Sequence, residues 1–260
     1  MAKQSSSVKT DSDIVERVRA LAWAGQHAQA IGIASQELGR SDWSRSIPKT
    51  GQSDLQMDLL DLRAESYIAQ GKLDLATKDA NAMMKLASMA KTNALKAQAL
   101  IRKGVIQGFQ KNHEKSINTL TSALKIARKN RTQHLEAQSL FWLAWNHLEL
   151  GLNEQAILFG QHAADLYLSL HNPSAVGRAL RIVAFAHSRL GNREESINLA
   201  QTALTLCEQV GDNLGKGDAL NAWYVNELDL ALALKRLKEA RQAIEASGYV
   251  IPLEIGRAHV

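Results

Sequence analysis

The stretch Leu140-Phe-Trp-Leu-Ala-Trp-Asn-His-Leu-Glu-Leu-Gly-Leu-Asn-Glu-Gln-Ala-Ile-Leu-Phe-Gly-Gln-His-Ala-Ala164 decides the fold. Before Gly151, the residues Leu140, Leu143, Ala144, His147 and Leu148 fall on one stripe at helical spacing. After it, Ala156, Ile157, Gly160, Ala163 and Ala164 form a second stripe. Two amphipathic helices joined by a short turn make an αα-hairpin. Gly151 stands where the first helix ends, the position at which a left-handed residue caps a helix at least strain.

The pattern recurs on both sides at a spacing of 40 residues. Leucine occupies positions 60, 100, 140, 180 and 220. Eleven residues later stand Gly71, Lys111, Gly151, Gly191 and Ala231; Lys111 there must take a turn less comfortable for a side chain. Then come Ala76, Ser116, Ala156, Ser196 and Arg236, followed by Met83, Ala123, Ala163, Ala203 and Ala243. The small residues suit helix crossings, where backbones approach closely only over short side chains. One hairpin cannot cover its own apolar face, so neighbours must stack, and a fixed period of this length is the signature of a solenoid. A solenoid offers an extended concave surface.

These residues resemble the tetratricopeptide repeats. Leu60, Ala64, Tyr67, Gly71 and Ala76 match that family's signature, as do Leu140, Ala144, Gly151, Ala156 and Ala163, and Leu180, Ala184, Gly191 and Ala203. His147 and His187 replace the aromatic near the end of the first helix, and the period is 40 against the family's 34. The longer unit is similar to the repeat regions of bacterial transcription activators and nucleotide cyclases. The resemblance implies an all-α, right-handed solenoid of about six helix-turn-helix units spanning 13–40, 54–92, 94–131, 133–171, 174–210 and 214–248. The first is degenerate, with Gly25 at its turn and Ala30 after it. A disordered tail (1–12) precedes the array, and a turn-rich loop containing Pro48 (41–53) is inserted between the first two units. In His171-Asn-Pro-Ser174, Asn or Ser is poised to cap the next helix.

By analogy with the family, the concave side is lined by the first helix of each unit. The inward residues are then Gln98, Ile101 and Val105; Gln138, Phe141 and Trp145; Arg178, Arg181 and Phe185; and Asp218, Asn221 and Val225. The ligand-binding candidates are Gln138, Phe141, Trp145, Arg178, Arg181 and Phe185. Aromatics beside two arginines could hold an apolar peptide that carries an acidic group; alternatively the aromatics only pack between helices. The Lys/Asn pattern of tetratricopeptide domains that clamp chaperone C-termini is absent.

Other chemistry finds little support. The sequence offers no catalytic residues: there is no nucleophile elbow, no His-Glu-x-x-His, and Asp58 and Asp61 sit on an early helix near solvent. His147 and His187 lie one repeat apart, but only Glu227 could join them, and imidazole filling the aromatic slot is the simpler account. No metal or cofactor is expected. Gly211-Asp-Asn-Leu-Gly-Lys-Gly217 lacks the Walker spacing and the Ser/Thr after Lys216, and it reads as a connector. Cys207, the single cysteine, fits a small buried apolar residue. The net charge of +5 is spread over many helices, and its one cluster, Lys125-Ile-Ala-Arg-Lys-Asn-Arg131, suits a helix C-terminus. That argues against nucleic acid, which needs a continuous basic stripe. No run is long enough to span a membrane and no signal peptide is visible, so the expected compartment is the cytoplasm.

The end of the chain, Ile255-Gly-Arg-Ala-His-Val260, does not fit the repeat. Read as ATC GGA AGA GCA CAC GTC, it resembles the start of a sequencing adapter, so residues 254–260 are expected to be non-native and the natural protein to continue. The array would then lack its closing cap and leave apolar surface around Leu237 to Ala246. The expectation is a protein- or peptide-binding regulatory module, the N-terminal fragment of a larger bacterial signalling protein, with self-association possible. The missing output domain would make the complete protein an enzyme if it is a nucleotide cyclase. The alternative is a stand-alone scaffold or assembly factor with further repeats.

Overall fold

The computed structural model describes residues 11–39 and 50–250. The tail 1–10, most of the inserted loop with Pro48, and the chain end expected to be non-native (254–260) lie outside the described residues. Among those described, the chain forms twelve α-helices and no strand. They pair as six hairpins: α1 (Asp11–Trp23) with α2 (His27–Leu38), α3 (Thr50–Ala69) with α4 (Leu73–Ala90), and α5 (Asn93–Phe109) with α6 (His113–Lys129). The other three are α7 (Gln133–Glu149) with α8 (Asn153–Ser169), α9 (Pro173–Arg189) with α10 (Arg193–Gln209), and α11 (Asn213–Tyr224) with α12 (Leu230–Ala246). Helix α1 starts at Asp11 and α3 at Thr50, so helix reaches into stretches that the sequence reads as tail and loop.

The 40-residue period is two helices of 17 residues, each followed by a three-residue turn, as α5 and α6 show. Both turns have the same geometry. The amide three residues past the helix reaches back to the carbonyl five residues earlier: Asn112 to Gln107 at 2.9 Å, Thr132 to Ala127 at 3.0 Å, Leu152 to His147 at 2.9 Å, Asn172 to Tyr167 at 3.0 Å. The residue between is left-handed in every case, with φ of 63° at Lys111, 55° at Arg131, 73° at Gly151 and 53° at His171. This is the Schellman closure, which satisfies carbonyls that a helix end otherwise leaves free. It operates between units as well as within them.

The small residues sit at the crossings. Ala76, Ser116, Ala156 and Ser196 are fully buried. The two serines also satisfy carbonyls of the first helix, Ser116 Oγ donating to Gly104 O and Ser196 Oγ to Ala184 O, each at 2.7 Å. Asn172 accepts from the Ala175 amide at 3.1 Å and caps α9, with Pro173 in its first turn.

Each helix packs on the next, and one row also packs on itself: α1 on α3, α3 on α5, α5 on α7, α7 on α9, α9 on α11. A row in which alternate members touch must lie on the smaller radius, so the first helices form the inner wall and the second helices the outer one. The last unit departs from the period. Helix α11 stops at Tyr224, where buried Asn226 takes over: its Nδ2 donates to Ser196 Oγ at 2.9 Å and Ala222 O at 3.0 Å, and its Oδ1 accepts from Ser188 Oγ at 3.0 Å. Around the start of α12, Leu228 and Leu230 are more than three-quarters exposed, and Leu232 and Leu234 are also exposed.

The curvature brings the two ends of the array together. The Arg178 guanidinium lies 5.8 Å from the ring centre of Trp23, joining the fifth unit to the first. Beyond α12, residues 247–250 cross to the first two units. His27 Nε2 donates to Ser247 O at 3.2 Å, and the Val250 amide donates to Ala69 O at 2.8 Å.

The turn geometry can be tested at Lys111, the one non-glycine among the four left-handed turns within units 2 to 5 (Gly71, Lys111, Gly151, Gly191). Lys111→Gly should stabilise the fold by roughly 0.5–1 kcal/mol net, because relief of left-handed strain exceeds the extra freedom glycine gives the unfolded chain. A urea midpoint that falls instead would contradict the left-handed assignment.

Candidate functional site

The inner wall is a mixed surface of aromatic and charged side chains arranged in columns, since equivalent positions on successive first helices are 40 residues apart. One column runs Asp58, Gln98, Gln138, Arg178, Asp218; the next runs Asp61, Ile101, Phe141, Arg181, Asn221. Polar links tie neighbouring helices along these columns. Gln98 Nε2 donates to Asp58 at 3.4 Å, Arg102 Nε to Asp61 at 2.6 Å and its Nη2 to Glu65 at 3.4 Å. Arg181 Nε lies 3.4 Å from Asp218 Oδ2. Asp58 and Asp61, which the sequence places near solvent, are half-buried members of this wall. Burial raises the Asp58 carboxyl above its ordinary range, against the pull of the Gln98 hydrogen bond. Burial works against the Arg102 charge, yet Asp61 and Glu65 outweigh it and keep the guanidinium firmly protonated.

The six candidates occupy distinct environments. Gln138 is half-buried on α7. Phe141 meets Trp142 edge-on at 5.0 Å and packs against the core. Trp145 lies in the seam between units, 5.2 Å from the Phe109 ring and 5.7 Å from His113, while Phe185 packs into the clusters around Ala144 and Ala184. Arg178 is engaged with the last unit, its Nε 2.7 Å and Nη2 2.8 Å from the two oxygens of Asp212. Arg181 is the least satisfied of the six. Its Nε has the ionic contact with Asp218 but no hydrogen bond, and buried Asn221 Oδ1, one helical turn beyond Asp218, also has none.

Asp212 belongs to the glycine-rich connector that superficially resembles a phosphate loop. It collects four donors: Ser174 Oγ at 2.6 Å, both Arg178 nitrogens, and the Gly215 amide at 2.9 Å. Burial alone would raise its pKa, but these hydrogen bonds and the Arg178 charge hold it below the ordinary 3.8. The neighbouring Asp218 goes the other way: burial lifts it, with Arg181 and Arg178 opposing.

The histidines weighed as ligands serve their own turns. His147 Nδ1 is 2.7 Å from Leu143 O, with its ring on Phe159, and His187 Nδ1 meets Asn192 Nδ2 at 3.2 Å. Glu227 pairs with Arg236. Among the described residues no three His, Cys, Asp or Glu converge on a point that could hold a metal ion. Cys207 is buried, and burial pushes its thiol up to about 12. Arg128 and Lys129 end α6, Arg128 pairing with Glu136 at 2.8 Å. Among the described residues no helix is long and apolar enough to cross a membrane.

The residues of this region that the sequence conceals are Trp23, Glu65, Arg102 and Tyr249. Trp23 and Tyr249 fall outside the repeating positions, so no periodicity points to them. Tyr249 lies partly buried within the curve of the array, edge-on to His27 with ring centres 5.6 Å apart. Burial raises its hydroxyl pKa, and the charges of Glu65, Arg178, Arg102 and Asp218, on four different first helices, all reach it.

Known proteins agree with this architecture. The tetratricopeptide-repeat family model matches residues 97–130, the hairpin of α5 and α6. No curated protein matches the chain by sequence. Among solved structures, the apo form of RapI superposes with a TM-score of 0.69 at 12% identity, over 93% of this chain and 86% of that one. A Rap protein complexed with competence and sporulation factor gives 0.64 at 15% identity, over 92% of this chain and 76% of that one. A STAND protein with a tetratricopeptide-repeat sensor, from Pyrococcus horikoshii, gives 0.60 at 14% identity over 92% of this chain. The chain spans 36% of the length of that protein. The fold is that of the tetratricopeptide-repeat solenoids, and the third hairpin carries the family's repeat.

Asp212 makes the acid limb of stability predictable. Its folded-state pKa is depressed, so its contribution is present above 3.8 and is lost as pH falls through the lower folded value. Asp212→Asn should lower stability by roughly 3 kcal/mol at neutral pH, where it leaves Arg178 without its counter-charge. That deficit should shrink when wild type and variant are compared by denaturant melts below the ordinary carboxylate range. An undiminished deficit would show that the carboxylate charge is not what matters.

Proposed function

We propose that this chain is a recognition and regulatory module whose inner wall binds an extended segment of a protein or peptide partner. The observation that carries the reading is Arg181: a wall arginine beside the Phe141 column, held by one loose ionic contact and lacking a hydrogen bond at Nε. The Arg181 side chain keeps 12% of its surface open, through which its guanidinium would meet a carboxylate or carbonyl of a ligand, and Phe141, Trp145 and Phe185 lie on the same row of helices. Gln138 offers an amide to a peptide backbone, and Arg178, fixed by Asp212, contributes charge. The Rap protein of the same fold was solved in complex with competence and sporulation factor, which supports a role in binding.

On this reading the partner is an apolar segment with an acidic group, the compartment is the cytoplasm, and the chain is the N-terminal, regulatory part of a longer bacterial signalling protein with its output domain beyond the array. Peptides selected from a random display library against the full chain provide the test. Arg181→Ala should weaken the selected peptides about tenfold, the loss of one charge-assisted hydrogen bond, with helicity unchanged. Equal affinity for the two proteins would remove the inner wall as the site.

A second reading, a scaffold that assembles with copies of itself or with further repeats, is favoured by the exposed Leu228 and Leu230 at the start of α12. If that patch mediates self-association, Leu230→Glu should turn a sedimenting dimer into a monomer. A wild-type chain that stays monomeric at high concentration would dispose of this reading.

A further inference from the structure

We propose that residues 247–250 are a built-in occupant of the binding channel, and that the partner is a peptide presenting an aromatic side chain directly after a glycine, which must displace them. This rests on the reading of the inner wall as the binding surface.

Residues 247–250 are not part of the solenoid. Helix α12 ends at Ala246, and Ser247 and the left-handed Gly248, φ +71°, turn the chain out of it. This short strap behaves as a bound peptide does. Its main chain makes the polar contacts, Ser247 O accepting from His27 Nε2 and the Val250 amide donating to Ala69 O at 2.8 Å. Its one large side chain before Val250, Tyr249, lies edge-on to the His27 ring with centres 5.6 Å apart, within electrostatic reach of Glu65, Arg102, Arg178 and Asp218 on α3, α5, α9 and α11. Main-chain hydrogen bonds with one aromatic anchor are how extended peptides are generally recognised.

The seat is shaped for glycine. A Cβ on Gly248 would lie 2.3 Å from Gly25 O, and one on Gly25 would lie 2.9 Å from the Ser247 carbonyl carbon. Gly25 also has a left-handed φ of +74°. Two backbones therefore meet face to face, and the residue before the aromatic must be glycine in any ligand that copies this contact. No helix of the last unit packs extensively on α1, α2 or α3 among the described residues. The strap, together with the Trp23–Arg178 contact, is what joins the two ends of the array.

A tethered segment of this kind sits at an effective concentration on the order of millimolar. A free peptide's apparent affinity is lowered by the fraction of molecules in which the strap is closed. The probe is the strap's own sequence, acetylated and amidated Ala-Ser-Gly-Tyr-Val, added to the full-length chain. In wild type the Val250 amide should exchange slowly with deuterium, and saturating probe should release it. Tyr249→Ala removes the anchor and Gly248→Ala the seat; each should bind the probe about tenfold more tightly than wild type, while Tyr249→Phe should resemble wild type. A probe in which Ala replaces Tyr should not bind.

Affinities equal in all four proteins, no saturable binding to the Tyr249→Ala chain, or a Val250 amide that stays protected under saturating probe would each overturn the proposal. The wild-type exchange measurement decides it even if a variant fails to fold. Probe binding that depends on Arg181 but not on Tyr249 or Gly248 would remove the strap and leave the inner-wall reading intact. Binding indifferent to all three would remove both.

Discussion

The constraint on which everything else depends is the left-handed residue that follows each helix from α3 to α10. From Gly71 to Gly211 such a residue stands every 20 positions, at 71, 91, 111, 131, 151, 171, 191 and 211. At all of these but Lys91, the next amide closes back on the carbonyl five residues before it. Because the turns within and between units share this geometry, consecutive helices leave one another at nearly the same angle, and the chain folds back on itself in steps of constant length. The inner wall, its columns and the curvature that brings the ends together all arise from repeating that one closure.

The sequence shows half of this series and conceals the rest. Gly71, Gly151 and Gly191 announce the turns within units, and Lys111 is legible only by its register with them. Three of the four turns between units carry Lys91, Arg131 and His171, side chains that a left-handed position disfavours by about 1–3 kcal/mol, so composition gives no hint of them; the fourth has Gly211. They are held there because helix packing on both sides determines the path. The hairpin crossings were fully legible, since a small residue at 76, 116, 156 and 196 has no other physical reason to recur. The end of α11 was not: the register puts its turn at Ala231, but Asn226 satisfies three groups at once and stops the helix at Tyr224.

The inner wall that carries the candidate residues was legible in position and illegible in chemistry. Counting along the first helices places Gln138, Phe141, Arg178 and Arg181 on one wall, as analogy with the repeats implies. What the count cannot show is which charges are already spoken for. Arg178 and Arg181 occupy equivalent-looking places, yet Arg178 is bound bidentate to a carboxylate from the glycine-rich connector, and Arg181 has only a long contact to Asp218. The difference is set by Asp212, a residue outside every inner-wall column. Likewise Arg102 falls one place beyond its column, yet it reaches both Asp61 and Glu65 on α3.

The contact between the ends explains why a charged channel can exist at all. Four first helices bring Glu65, Arg102, Arg178 and Asp218 toward one interior space, and such groups are stable away from water only when paired or when something polar and polarisable sits among them. Arg102 pairs with Asp61 and Glu65, and Arg178 with Asp212, so the wall's charges are largely neutralised within the array. A tyrosine suits such surroundings better than an aliphatic side chain, because it joins an apolar ring to a hydroxyl that can meet either sign of charge. His27 completes the fit from the first unit. Burial lowers its pKa, against the hydrogen bond to Ser247 and the Glu65 charge, so the neutral ring donates one hydrogen bond to the strap without placing a further charge in the channel. The ends are thus held by contacts between residues more than 150 positions apart, none of which the repeat itself requires.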